Sequence, residues 1–327
     1  MKIAILIAAG LVLLLLFGGS FAAMCFACLH ARWLTSNADR AIQHSSLRRY
    51  AKELSAGFQW IAAQPSETVT IKAFDGVRLV GRYLPCDKAR GTLLLFHGWR
   101  SLPEIDFGCA LPFYQSLGLN LLLVNERAHG ASGGRFITFG IRERRDVHRW
   151  VEWHNARFGA ETPVLLGGLS MGAATVLMSC GEPFPANVRG VVADCGFTSP
   201  QDILSKIARE HHIPQWFLPF VSLQTRLFAG FGLKEYSTLT ALGSCRLPLL
   251  LIHGEADTFV PCEMSRRAFA ASAAEDKTLM TVPNAGHGQS YLLEGDRYRR
   301  TVADFVARVL PPIETAQKGA AHELRCD

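Results

Sequence analysis

The sequence predicts an α/β protein: a mostly parallel, doubly wound sheet with an N-terminal antiparallel hairpin and a small helical lid, preceded by one transmembrane helix. Three observations carry this. Continuous apolar runs recur at residues 92–96, 119–124, 164–166, 188–193, 247–252 and 279–282, with helix-patterned segments between them. Asp75-Gly76 stands between two alternating runs. No charged side chain occurs in residues 3–29.

In chain order, the uncharged stretch comes first. A helix crosses a bilayer with about 20 apolar residues, and this stretch is longer. It is expected to be an uncleaved anchor, residues 1–30. A cleaved signal peptide ending near Ser20-Phe21-Ala22 is the alternative, but the apolar run continues past that site. Lys2 precedes the stretch, while Arg32, Arg40, Arg48 and Arg49 follow it. The positive-inside rule then puts the folded domain in the cytoplasm. Residues 31–65 are polar with Leu47, Tyr50, Ala51 and Leu54 at helical spacing. They read as a linker helix that Pro65 stops.

The runs 68–74 and 77–84 alternate, and Asp-Gly between such runs is a hairpin signal. The later runs are apolar throughout, as expected of strands covered on both faces. Val147, Trp150, Val151, His154 and Phe158 mark one helix face, and Phe305, Val306 and Val309 mark the last helix. Between Asp194 and Leu247 the chain is longer and richer in proline than one crossover helix needs. It contains the aromatic stretches His212-Ile213-Pro214-Gln215-Trp216-Phe217 and Leu227-Phe228-Ala229-Gly230-Phe231. An inserted helical lid over about 200–245 is expected. The catalytic domain is assigned to 66–310, and 311–327 is polar and expected to be disordered.

Composition narrows the function. A hydrophobic content of 49% against 19% charged supports a large core. The net charge of +6 is mild, and no Lys/Arg block interleaves with aromatics, so no nucleic-acid partner is expected. The nine cysteines are odd in number and follow no disulfide-scaffold spacing. Cys25 and Cys28 lie inside the apolar segment and read as packing residues. His211-His212 has no carboxylate or thiol at a matching offset, so no metal is expected. No G-x-G-x-x-G follows a strand, so no nucleotide cofactor is expected.

Gly168-Leu169-Ser170-Met171-Gly172 carries the chemistry. It follows the apolar run ending at Leu166-Gly167 and precedes the helix-patterned Ala173-Ala174-Thr175-Val176-Leu177-Met178. Strand, tight turn and helix make G-x-S-x-G a nucleophile elbow, with its serine in a strained conformation. A serine nucleophile needs a base, a group that orients the base, and oxyanion donors. His287, in Asn284-Ala285-Gly286-His287-Gly288, follows the 279–282 run and is the candidate base. Asp257, just past the 247–252 run, is the candidate orienting acid, with Asp194 at another strand end as the competing choice. Such groups gather at the carboxyl ends of strands in open α/β sheets. The amides of Met171 and Trp99 are the candidate oxyanion donors. His97, Arg127 and His129 read as loop braces rather than bases.

With these residues in hand, the chain resembles the α/β-hydrolase superfamily, serine-hydrolase branch, over residues 67–310. The stretches that carry the likeness are His97-Gly98-Trp99, Asn125-Glu126-Arg127-Ala128-His129-Gly130-Ala131-Ser132, Gly168-Leu169-Ser170-Met171-Gly172, Asp194-Cys195-Gly196-Phe197-Thr198-Ser199, Gly254-Glu255-Ala256-Asp257 and Gly286-His287-Gly288. More narrowly it looks like the bacterial membrane-anchored YqkD and BEM46-like hydrolases. The chain order Ser170, Asp257, His287 is that of the family. Asn125 departs from it, because relatives usually begin that loop with aspartate. The resemblance implies hydrolysis of a carboxylic ester through an acyl-enzyme, on an apolar small-molecule ester or acyl substrate. A serine peptidase or amidase on the same residues is the second reading. A non-catalytic, membrane-tethered binding protein of the same fold is the third.

Overall fold

The computed structural model describes residues 1–29, 48–310 and 312. The first half of the expected linker helix and nearly all of the expected tail fall outside these residues.

The sheet has eight strands: β1 (Glu67–Lys72), β2 (Arg78–Leu84), β3 (Gly91–Phe96), β4 (Leu119–Asn125), β5 (Val164–Leu169), β6 (Val188–Asp194), β7 (Leu249–Gly254) and β8 (Lys277–Val282). Their spatial order is β1-β2-β4-β3-β5-β6-β7-β8. β1 and β2 form the hairpin, with Lys72 opposite Arg78 and the Asp75-Gly76 turn between them. Gly76 has φ +82°, the left-handed backbone such a turn requires. β2 pairs antiparallel with β4, and every later pairing is parallel. The predicted α/β architecture is therefore present. Strand β7 starts at Leu249 rather than at Leu247. Pro248 lacks an N–H and supplies only its carbonyl, which accepts from Val191 N at 3.0 Å.

The apolar runs have a simple cause. Leu94 and Phe96 point to one face of β3, where Trp150 and Val147 of α5 (Glu143–Phe158) cover them together with α6 (Met171–Ser179). Leu93 and Leu95 point to the other face, under Phe305 and Val306 of α12 (Gly295–Val309), α3 (Pro103–Phe107) and α4 (Leu111–Ser116). Both faces of the central strands are thus dry, so most positions are apolar. Helix α2 (Ala51–Ala63) adds Ile61 to this second layer. It stops at Ala63 because the residue before Pro65 is driven to extended backbone, and Gln64 has ψ 141°.

A buried ion network ties the hairpin to α5. Arg127 Nε donates to Asp146 Oδ2 at 2.7 Å and its Nη2 to Asp146 Oδ1 at 2.6 Å, while Nη1 reaches Asp75 Oδ2 at 2.8 Å. This bidentate pairing makes Arg127 a brace for the loop after β4.

The segment expected to form the lid lies between β6 and β7. It consists of α7 (Pro200–Glu210), a 3₁₀ turn at Gln215–Phe217, α8 (Leu218–Gln224), a wider π turn over Thr225–Ala229 and α9 (Thr238–Leu242). Ser199 caps α7, its hydroxyl accepting from Asp202 N, and Pro200 takes the first helical position. Helices α10 (Glu263–Ala271) and α11 (Ser290–Leu293) complete the set.

Helix α1 (Lys2–Cys28) is 27 residues long and is long and apolar enough to cross a membrane. Its first four turns are exposed, but Met24, Ala27 and Cys28 are buried among lid and loop residues including Val221, Phe231 and Ile137. The chain then continues as Leu29, bridged antiparallel to Phe136, while Ile137 N donates to Cys28 O at 2.7 Å.

Candidate active site

β5 ends in the elbow. Ser170 has φ 57° and ψ −113°, a conformation that a non-glycine residue adopts only when its surroundings force it. The forcing is visible in the two flanking glycines. A Cβ on Gly168 would overlap the Gly172 carbonyl, and one on Gly172 would overlap the Phe96 carbonyl of β3. The turn is thus clamped between its own far side and the neighbouring strand. Backbone cannot move aside as a side chain can. Gly172→Ala is therefore expected to cost about 3 kcal/mol of stability, read as a drop of roughly 6–12 °C in thermal midpoint.

The structure brings Ser170, His287 and Asp257 together. His287 Nε2 lies 2.8 Å from Ser170 Oγ, and His287 Nδ1 lies 2.7 Å from Asp257 Oδ2. The His287 side chain is 19% exposed, while the Asp257 carboxylate is fully buried. Asp257 Oδ1 accepts from the Phe259 and Val260 amides at 2.9 and 2.8 Å. His253 Nε2 stands 3.3 Å from Oδ2 on the buried side and donates to Val260 O at 2.8 Å. Burial pushes the Asp257 carboxyl up, but the bonds from His253 and His287 outweigh it and hold it well below the usual carboxylate range. The carboxylate is thus ionised beside the imidazole. The ring of Phe259 meets His287 edge-on at 5.0 Å and limits how far the imidazole can swing.

The competing residues sit elsewhere. Asp194 is buried with its Oδ1 accepting from Ser290 Oγ at 3.3 Å, and burial pushes its carboxyl up to about 6. Its backbone carbonyl holds the Ser170 amide at 2.8 Å. His97 is fully buried, accepts from Glu126 N at 3.1 Å through Nε2, and burial lowers it to about 4. It is neutral and braces a loop. His129 Nε2 accepts from Arg100 N at 3.0 Å.

Met171 is the first residue of α6, and Trp99 follows β3 in the loop that flanks Ser170, whose Cβ lies against Gly98. Among the described residues, neither the Met171 nor the Trp99 amide has a hydrogen-bond partner. The Trp99 loop is fixed by a residue the sequence reading passed over. Asp106 accepts from Gly98 N at 2.5 Å and from Ser101 Oγ at 2.6 Å. The loop is also tied to the last turn of α1. Trp99 Nε1 donates to Ala27 O at 2.9 Å, and the Arg100 guanidinium bonds Phe26 O while stacking on the Trp99 ring at 4.5 Å. The free carbonyls of a helix end are thereby satisfied by side chains of this loop. Nothing local in the sequence marks Asp106 or the ties to α1.

Cys195 Sγ, Asp257 and His287 place possible ligand atoms within 4.8 Å of one another. Burial holds the Cys195 thiol well above its ordinary value, so it stays protonated. Asp257 and His287 already satisfy each other. A protonated thiol and an engaged acid–base pair suit a metal poorly.

Comparison with known proteins agrees with this fold. Residues 93–304 match the alpha/beta hydrolase family. The uncharacterized protein YqkD of Bacillus subtilis is 26% identical over 235 residues, 71% of this chain and 76% of that protein. The uncharacterized protein MT2364 of Mycobacterium tuberculosis is 30% identical over 257 residues, 77% of this chain and 80% of that protein. Among solved structures, the Pyrococcus furiosus esterase Pf2001 aligns with a TM-score of 0.63 at 24% identity, covering 80% of this chain and 94% of that one. The sheet order, the elbow after β5 and the match across most of the folded region lead to one conclusion: the chain belongs to the alpha/beta hydrolase family.

Proposed function

We propose that this chain is a membrane-anchored serine hydrolase that cleaves a carboxylic ester through an acyl-enzyme. The observation that carries this reading is the unbroken chain from Ser170 Oγ to His287 Nε2 at 2.8 Å and from His287 Nδ1 to Asp257 Oδ2 at 2.7 Å. Ser170 Oγ attacks the ester carbonyl carbon while His287 Nε2 takes its proton. Asp257 fixes the tautomer with Nδ1 protonated and stabilises the imidazolium. The amides of Met171 and Trp99 bind the oxyanion, each worth about 3 kcal/mol in the transition state. His287 returns the proton to the leaving alcohol. It then activates the water that releases the acid. Phe259 packs edge-on against His287 at 5.0 Å and Trp99 stands in the candidate oxyanion loop, which favours an apolar substrate.

Helix α1 serves as the anchor (residues 1–30 with its flanks), 66–310 as the hydrolase domain and about 200–245 as its lid. The positive-inside rule places the domain on the cytoplasmic side. Ester cleavage is separated from peptidase or amidase action by turnover on p-nitrophenyl esters against aminoacyl-anilides. The expected result is at least 100-fold higher kcat/KM for the esters, rising with acyl chain length. Preference for the anilides overturns the esterase reading.

A further inference from the structure

The anchor and the lid are not separate in this fold, and their contact fixes the depth of the lid. Helix α1 rises about 1.5 Å per residue, and the hydrocarbon core takes about 20 residues. Counted from Ile3, the first residue past Lys2, that span ends near Ala22. The lid meets the helix before this point. Gln224 Nε2 of α8 donates to Ser20 Oγ at 3.2 Å and reaches Phe17 O at 3.5 Å. The Phe228 ring packs edge-on against Phe21 at 5.1 Å. Contact at Phe17 lies about five residues inside the span, roughly 8 Å along the axis. Interfacial helices bury their apolar faces to a comparable depth, about 5–10 Å.

The lid is dressed for that depth. Trp216 is 60% exposed, Leu223 50%, Leu227 63% and Phe228 47%. Leu223 and Leu227 lie one turn apart, and Phe228 joins them to the outer surface of α1. Residues 211–234 contain no Asp or Glu, and their fixed charges are Arg226 and Lys234. A lid in plain water has no reason to expose four large apolar side chains beside a membrane-length helix. A lid at an anionic lipid surface has reason both for them and for its basic charges.

We infer that the outer face of the lid, formed by Trp216, Leu223, Leu227 and Phe228, is a lipid-docking surface seated in the same leaflet that receives the C-terminal part of α1. The inference rests on the anchor reading of α1 above. The membrane is then the standing partner of the lid, and apolar esters dissolved in that leaflet lie next to the element that covers the site.

The test uses the full chain reconstituted in phosphatidylcholine/phosphatidylglycerol vesicles whose acyl chains carry bromine near the headgroup end. The Trp216 emission is taken as the difference between the wild type and Trp216→Phe. The expected result is at least a twofold quenching of that difference by brominated lipid, with little quenching by aqueous iodide. The double variant Leu223→Asp/Leu227→Asp, at exposed positions, is expected to keep its thermal midpoint and to lose most of the lipid quenching. A Trp216 component quenched by iodide and blind to bromine, in protein that resists alkaline carbonate extraction, overturns the docking surface and leaves the anchor standing. Release by carbonate overturns the anchor reading and the inference together. Fluorophosphonate labelling of Ser170 reports separately on the hydrolase reading in either case.

Discussion

Ser170→Ala and His287→Ala are each expected to lower kcat on a p-nitrophenyl ester by roughly 10⁴–10⁶. The two losses should be alike because the groups act as one unit. Ser170 Oγ has no other base within hydrogen-bond reach than His287 Nε2, at 2.8 Å, among the described residues. Without the imidazole the hydroxyl keeps its proton, and without the hydroxyl the imidazole has nothing to activate but water. The double variant should therefore be little worse than either single one. KM should move far less than kcat, since neither side chain supplies the apolar contacts that bind substrate. The strained elbow should survive Ser170→Ala, because the flanking glycines and the Asp194 carbonyl hold the backbone independently of Oγ.

The second large effect separates two buried carboxylates. Asp257→Asn is expected to cost about 10⁴ in kcat, whereas Asp194→Asn should cost less than about tenfold. The difference follows from hydrogen-bond polarity. Asp257 Oδ1 is committed to two backbone amides, at 2.9 and 2.8 Å, so an asparagine keeps its oxygen there and turns its NH₂ toward His287 Nδ1. Two donors then face each other unless the ring moves its proton to Nε2. Nε2 can then no longer accept from Ser170. Asp194 has no such bond to His287. Its side chain accepts from Ser290 Oγ, which an amide oxygen also permits, and burial already raises its carboxyl to about 6. Kinetics of both variants on one ester check this. Near-normal activity in Asp257→Asn with a dead Asp194→Asn reverses the assignment.

How much of this was legible before the fold was seen differs by kind of feature. Strands and hairpin were readable because their signals are local: a dry strand is apolar at most positions, and Asp75-Gly76 sits where a left-handed turn is needed. The elbow was readable because Gly168 and Gly172 have no room for a Cβ, so the constraint is written in the residue types themselves. The strand start at Leu249 was missed by two residues because apolar patterning does not weigh the missing N–H of Pro248. Three other features had no local trace. Asp106 is an ordinary acidic residue in an N-terminal helical turn until Gly98 is found above it. His253 is one more polar residue after a strand until its ring is found beside Asp257. The capping of α1 by Trp99 and Arg100 joins residues more than 70 positions apart. Contacts of that kind are set by how layers stack, and the sequence pattern records only that each partner is compatible with them.

The most direct measurement is fluorophosphonate labelling of the full-length chain, read by intact mass and peptide mapping. The account predicts one adduct, on the peptide containing Ser170, absent in Ser170→Ala and formed at least 10³-fold more slowly in His287→Ala. A chain that takes no label at Ser170, or takes it equally fast without the imidazole at 287, contradicts it.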